Sequence, residues 1–459
     1  MASLKPRIMG IENEYGLVFY PKGKVYLPIE KILGYIFEGL IPSSWPSNAF
    51  LPNGARFYQD TGCHPEYATP ECDNLLELVA HDKAGERILE SSLPIADKRL
   101  REEGILGEIR IFKNNTDSLG NTYGCHENYL TTRAIDFWKL AEQLTPFLVT
   151  RQIFTGAGKV LKVGGKSHYV ISQRAQHIHE KSSSSTTSSR SIINTRDEPH
   201  ADAEKYRRLH VIIGDSNMSE YTTFLKVGTA ALILAMVEAG HHVTGLEMED
   251  PIKALRDISR DLTLKKRVRL ISGKEMNAID IQRVYLEKAR EYLTSEGNPD
   301  EEVALLNQWE EILTRLEEDM PSLARKIDWV IKHEMIRSYM DKNGCEWDDP
   351  KIALIDLQYH DVDQNKGLYY LLCREGLVDR VTTEEAIQGA MVSPPQTTRA
   401  KVRGDFIKFA QGKNRSYTVD WTYLKLNGYW EETILCMDPF ASTHPRLEEI
   451  LLAATMVHK

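Results

Sequence analysis

Two short stretches carry the residue types from which chemistry could be built. The first is Gly54 to Asp73, GARFYQDTGCHPEYATPECD, with four carboxylates, a histidine, an arginine and two tyrosines in twenty positions. Ala55 to Asp60 reads as a strand, and a period of two puts Arg56, Tyr58 and Asp60 on one face, with Phe57 and Gln59 on the other. Thr61 and Gly62 turn the chain, so that Glu66, after the ladder-breaking Pro65, can return beside the Asp60 face. The second stretch is Arg7 to Gly16, RIMGIENEYG. There Glu12 and Glu14 project from one face of a strand, roughly 6.5–7 Å apart. An isolated hairpin of this kind is most simply a solvated edge. Two acidic strands among Ile8, Met9, Ile11 and Tyr15 instead pose a repulsion that a divalent cation would relieve. Hard Mg2+ takes oxygen ligands and is typically held by carboxylates together with substrate phosphates, which suits Glu12, Glu14 and Glu66.

The elements that must position these groups follow along the chain. IEKILGYIFEGL reads as a helix, followed by a loop rich in Ser, Pro and Asn. Asp73 or Asn74 is placed to cap an amphipathic helix of about 25 residues, burying Leu75, Leu76, Val79, Ile88 and Leu89. Strands at Glu108–Lys113 and Thr122–Leu130, joined by NNTDSLGN, read as a hairpin. On the second of these, Gly124, His126 and Asn128 share a face, which makes His126 a site candidate. KSSSSTTSSR at 181–190 is too polar to pack and reads as a loop. Between Ile192 and Asn217 come Arg196, His200, Lys205, Arg207, Arg208 and His210. Arg196 and His210 are the stronger candidates there, because Lys205 and Arg207 have nearby acidic residues to pair with. Ser219 caps a helix apolar all round and therefore buried. Residues 250–342 read as a charged, helical outer layer, and ALIDLQYHD as a short strand. Near Val392 a proline-marked boundary leads to a C-terminal lobe, in which Trp421 sits on a strand as core or as a wall for an adenine ring. The division is 1–391 and 392–459.

Composition narrows the class. The chain has 459 residues, 42% hydrophobic, with 57 basic and 66 acidic side chains and a net charge of −9. That is too acidic for a general nucleic-acid binder. Six cysteines without a CxxC pair indicate neither a zinc ribbon nor a disulfide framework. No apolar signal core opens the chain and no run approaches a membrane span, so a cytoplasmic protein without a membrane partner is expected. Gly156-Ala157-Gly158 and Gly165-Lys166-Ser167 lack the spacing of phosphate-binding loops and read as ordinary turns.

Carboxylates for a metal, arginines for phosphate and a spare aspartate together predict ATP-dependent chemistry without a phosphate loop. Activation of a carboxylate by phosphorylation, followed by attack of an amine, needs this set. Asp60 could deprotonate an incoming lysine, whose ordinary pKa is about 10.4. The opening IMGIENEYG resembles the carboxylate-amine ligase superfamily that includes glutamine synthetase. NGARFY, HPEYATPECD, YGCHENYL, INTRDEPHADAEKYRRLH, GDSNMSE and PPQTTRA resemble, over essentially the whole chain, the Pup–protein ligase family. The resemblance implies an α+β fold with a curved, mostly antiparallel sheet backed by helices and a small C-terminal domain. It implies ATP and Mg2+ as cofactors, and as partners the small acidic protein Pup and lysine-bearing target proteins. Carried over by position, it makes Asp60 the catalytic base and Glu12, Tyr58 and Glu66 magnesium ligands, with Glu14 serving a second metal. Arg56, Thr69 and Trp421 match ATP contacts, and His126, Arg196 and His210 match active-site positions of the related deamidase and depupylase. That enzyme is the alternative reading. It typically has a long insertion before NGAR, which is missing here, and tends to have one residue fewer between the catalytic aspartate and HPE.

Overall fold

Strand pairing places the two acidic stretches side by side. The computed structural model describes residues 5–40, 48–60, 62–185, 189–427 and 433–456. Its main sheet has eight strands, in the order Glu180–Ser183, Ser191–Asn194, Tyr206–Val211, Cys125–Thr132, Met9–Glu14, His64–Ala68, Arg56–Asp60 and Asn48–Phe50. The first pair is parallel and the others antiparallel, which agrees with the expected α+β class. Because side chains alternate across a strand, one face of the central strands buries Met9, Ile11, Cys125, Tyr129, Leu209 and Val211 against helices Phe137–Thr150 and Glu220–Glu238. Glu12, Glu14, His126, Asn128 and His210 are left on the opposite face.

The caps behave as read. Asn74 accepts from the Glu77 amide at 3.0 Å and starts helix Leu75–Glu102. Ser219 accepts from the Thr222 amide at 3.2 Å and starts helix Glu220–Glu238. By length and composition this second helix could cross a membrane, contrary to the expectation that no run comes close. Since 83% of its apolar window is buried inside the protein, it is a core helix. Of the residues assigned to the buried side of Leu75–Glu102, Leu76 is 48% exposed, and the rest face inward wholly or in part.

Several expectations are corrected. Glu108–Lys113 and Thr122–Leu130 do not form a hairpin: Gly107–Phe112 pairs with Gly16–Pro21 in a separate two-stranded sheet, while Cys125–Thr132 joins the main one. The cause is a break at Tyr15, whose amide leaves the ladder to bond Pro65 O at 2.9 Å, so the early chain becomes two strands that recruit different partners. The NNTDSLGN turn survives, with Asp117 N donating to Asn121 O at 3.1 Å. ALIDLQYHD is no strand: residues 353–358 lie in helix Pro350–Gln358, started by the Asp349 cap and Pro350 at the first position, and of the last three residues Asp361 alone makes a β-bridge, to Phe112. The polar run at 181–190 is not all loop, because Glu180–Ser183 needs only its backbone to pair along the sheet edge; positions 186–188 lie outside the described residues, as does the loop 41–47. The 250–342 helices are more than an outer layer, since Trp309, Trp329, Asp328 and Lys332 are fully buried. Of the expected turn Gly165-Lys166-Ser167 only Gly165 turns, with Gly164, both at positive φ; Lys166 and Ser167 already belong to the returning strand of the hairpin Lys159–Val163 to Lys166–Val170.

Towards the C-terminus, helix Arg399–Gly412 and strands Tyr417–Val419, Tyr423–Leu426 and Thr433–Leu435 enclose an apolar cluster around Val402, Phe406, Ile407, Leu424 and Ile434, which Phe50 of the main sheet's edge strand joins. Trp421 is not on a strand. It lies in the bend between the first two, where its ring meets Phe50 edge-on at 4.9 Å.

Candidate active site

Register converts spacing into a site. Glu12 stands opposite Ala68 on one side and His126 on the other, and Ala68 stands opposite Arg56. One step along, Glu14 faces Glu66, and Glu66 faces Tyr58. His210 faces Asn128. Side chains of directly opposed residues share a face. These rows line a cavity of about 320 Å³, whose walls include Glu12, Arg56, Tyr58, Asp60, Glu66, Thr69, His126, Arg196, His210 and Trp421. Glu14 lies just behind, and its carboxylate offers an oxygen within 4.8 Å of oxygens from Asp60 and Glu66. The structure therefore brings all eleven sequence-predicted residues to one place.

Most of them have a distinct anchorage. Glu12 Oε1 accepts from Asn128 Nδ2 at 3.0 Å, Glu12 Oε2 lies 3.3 Å from His126 Nδ1, and Arg208 Nη1 is 3.7 Å away. Burial alone would raise the Glu12 pKa, but the His126 hydrogen bond and the charges of His210 and Arg208 overcome it and hold the carboxyl below its ordinary range. Glu66 goes the other way: burial, then the charges of Glu12, Glu14 and Asp60, push it well above. Burial also raises Glu14, which accepts from the Gly124 amide at 2.6 Å. Tyr58 is driven up by burial and by Glu66, to which its hydroxyl donates. His210 is pushed well down by burial, assisted by His126, Arg208 and Arg196. Arg56 lies over the Tyr58 ring at 4.2 Å, and Thr69 Oγ1 accepts from Ile11 N at 3.0 Å, locking two site strands together. Arg196, on the rim, reaches Ser184 O at 3.3 Å and Glu198 at 3.7 Å. As expected, Lys205 pairs with Asp202 at 3.0 Å and Arg207 approaches Asp197 at 4.0 Å.

Gly124 is required by close approach: a Cβ there would sit 2.5 Å from His126 Nε2 and 2.6 Å from Glu14 Oε1. Behind the first strand, Asn13 donates to Asp82 at 2.8 Å, and Lys113 joins Asp82 at 2.7 Å to Glu86 at 2.9 Å, so Glu12 and Glu14 flank a residue pinned to the core helix.

Sequence reasoning passed over several groups. Asn128 and Arg208 share the period-two parity of His126 and His210, a signal that was available. Arg174, only 1% exposed, with a buried Nε that has no hydrogen-bond partner among the described residues, acts electrostatically on Glu14; it comes from the 3-10 turn near 175, which nothing local linked to the acidic strands. His200, strained at φ 48°, brings its ring within 6.2 Å of Trp421.

The arrangement can bind a polyanion beside a carboxylate cluster, place a flat ring against Trp421, and take up a proton at Asp60. Against known proteins, the profile of a family described as Pup-ligase protein matches residues 7–425. A Pup–protein ligase of Nocardioides sp. is 54% identical over 448 residues, covering 97% of this chain and 99% of that protein. One of Rhodococcus opacus is 52% identical over 450 residues, covering 98% and 99%. Among solved structures, the ligase PafA in complex with the prokaryotic ubiquitin-like protein Pup superposes with a TM-score of 0.93 at 40% identity, covering 99% of this chain and 94% of that one. PafA in complex with ADP gives 0.84 at 39% identity, covering 95% and 96%.

Proposed function

Because this chain belongs to the Pup-ligase family, we propose that it joins the γ-carboxylate of Pup's C-terminal glutamate to lysine ε-amines of target proteins, converting ATP to ADP and phosphate. It is an enzyme that ligates Pup to proteins, and the deamidase alternative is not favoured by relatives of this identity. In the first step the γ-carboxylate attacks the γ-phosphorus of ATP and ADP leaves, giving a γ-glutamyl phosphate. In the second, the lysine nitrogen attacks the acyl carbon, the isopeptide C–N bond forms and phosphate departs. The ammonium must first lose a proton, and Asp60, on the cavity wall, is the base that takes it.

The observation that carries this reading is the register that gathers Glu12, Tyr58, Asp60 and Glu66 on one cavity wall with Arg56 and Arg208, Glu14 just behind them and Arg196 at the rim. Glu14, Asp60 and Glu66 offer only oxygen donors within 4.8 Å of one another, and burial with the neighbouring carboxylate charges pushes Glu66 well up, which fits a hard divalent cation; Glu12 adds an oxygen from beside His126 and His210. Glu12, Tyr58 and Glu66, with Glu14 for a second ion, would hold Mg2+, which when bound neutralises phosphate charge. Arg56, Thr69 and Trp421 contact the nucleotide, and Arg196 screens the meeting of two anions, with His126 and His210 beside it on the cavity wall. The division at 392 makes the C-terminal part a small lobe that contributes Trp421 and Arg399 to the nucleotide pocket. Six free thiols fit a reducing cytoplasm.

Incubating the protein with ATP, Mg2+, Pup ending in glutamate and a lysine-bearing protein should give an adduct heavier by one Pup, with one ADP formed per isopeptide. Adduct loss instead of gain, or no dependence on ATP, would overturn the ligase reading.

A further inference from the structure

Asn128 contacts Glu12, His210 and Arg208 at once, and its two amide atoms can be told apart. An ionised carboxylate only accepts, so the atom 3.0 Å from Glu12 Oε1 is the NH2 group. A guanidinium only donates, so the atom 3.1 Å from Arg208 Nη1 is the carbonyl oxygen. Two independent neighbours thus fix the same orientation. That oxygen lies 2.7 Å from His210 Nδ1, and an acceptor at this distance requires a hydrogen on Nδ1. In a neutral imidazole, Nε2 then carries the lone pair.

We propose that Asn128 is a positioning residue: it holds His210 as the Nδ1–H tautomer, so that Nε2 is left as an acceptor on a cavity-lining ring, and it ties this orientation to that of Glu12. An acceptor nitrogen suits a ligand bearing N–H groups, an ammonium among them, and opposes a bare phosphate oxygen. His126 obeys the same rule through Glu12, 3.3 Å from its Nδ1, which makes it an internal reference. The link to an ammonium rests on the ligase reading, whereas the tautomer does not.

The test is a long-range 1H–15N correlation spectrum of the full chain with 15N-labelled histidine rings, recorded at pH 8, where unperturbed imidazole is neutral. His210 is assigned by the signal missing from His210→Gln. The wild type should show His210 as Nδ1–H. Asn128→Leu, which neither accepts nor donates, should move His210 to Nε2–H, leave His126 as Nδ1–H, and lower kcat for conjugation roughly 10- to 100-fold. Asn128→Asp still accepts from Nδ1 and should keep the Nδ1–H form. An Nε2–H His210 in the wild type, or an unchanged tautomer in Asn128→Leu, overturns the proposal. Should Asn128→Leu also disturb His126 or lose ADP binding, Asn128→Asp decides: Nδ1–H retained supports the role and Nε2–H overturns it. A wild-type protein that forms no conjugate would sink the ligase reading and leave the tautomer assignment standing.

Discussion

Glu14, Asp60 and Glu66 crowd three carboxylates into one buried corner, and Glu66 and Glu14 respond by holding protons above their ordinary range. A divalent cation must displace those protons, so Mg2+ affinity should rise with pH. Titrating Mg2+-dependent nucleotide binding at pH 6 and pH 8 should show tighter binding at pH 8, and equal affinities would argue against these ligands. The sign for stability is the reverse. Groups with raised pKa bind more protons folded than unfolded, so the metal-free protein loses stability as pH climbs past their unfolded values. Asp60→Asn should abolish conjugation while leaving nucleotide binding intact, measured by adduct formation and by ADP titration; unchanged conjugation would remove Asp60 as the base. Gly124→Ala forces His126 and Glu14 apart without touching the core. Conjugation should fall about 100-fold, as for an ångström-scale misplacement, with an unchanged circular dichroism spectrum.

Elements whose start is written locally form where the sequence puts them. The Ser219 hydroxyl accepts from Thr222 N at 3.2 Å and donates to Lys326 O at 2.6 Å, so it caps one helix and fastens it to the turn ahead of another. Ser219→Ala should cost about 1 kcal/mol for the cap, more if the Lys326 carbonyl stays dry, read from urea unfolding midpoints at constant m-value. Strands are different. The faces of Arg56–Asp60 and Cys125–Thr132 were legible, because alternation is a property of the strand itself. The return of His64–Ala68 beside Arg56–Asp60 was legible too, but the partners of Cys125–Thr132 and Gly107–Phe112 were not, because Tyr15, buried and bonded to Pro65, diverts the chain between two sheets, and no local pattern announces that.

At the scale of the molecule, Glu71 joins the C-terminal helix to the site strands. Arg399 Nε donates to it at 2.7 Å, and Arg403 approaches it with both terminal nitrogens. Arg403 also lies over the Trp421 ring at 4.8 Å, so this ion cluster and the aromatic wall share one support. Burial would raise Glu71, but the guanidinium charges of Arg403 and Arg399 prevail and bring it down to about 2, from 4.5. A depressed carboxyl contributes stability that is full above the unfolded value and disappears as pH falls through the folded one. Glu71→Gln should therefore cost on the order of 3 kcal/mol at pH 7, a gap that closes between pH 4.5 and 2, and should weaken ADP binding. Denaturant unfolding at several pH values and ADP titration check both.

The sequence by itself determined which residues are candidates for the chemistry, which strand faces they occupy and where helices Leu75–Glu102 and Glu220–Glu238 begin, since periodicity and capping act over a few neighbouring residues. Only the tertiary structure decided which sequence-distant strands lie side by side, that the charge of Arg174 acts on Glu14 and that Trp421 rides on a bend. Those contacts join segments far apart in the chain, and their energy comes from burial and register that no short stretch contains.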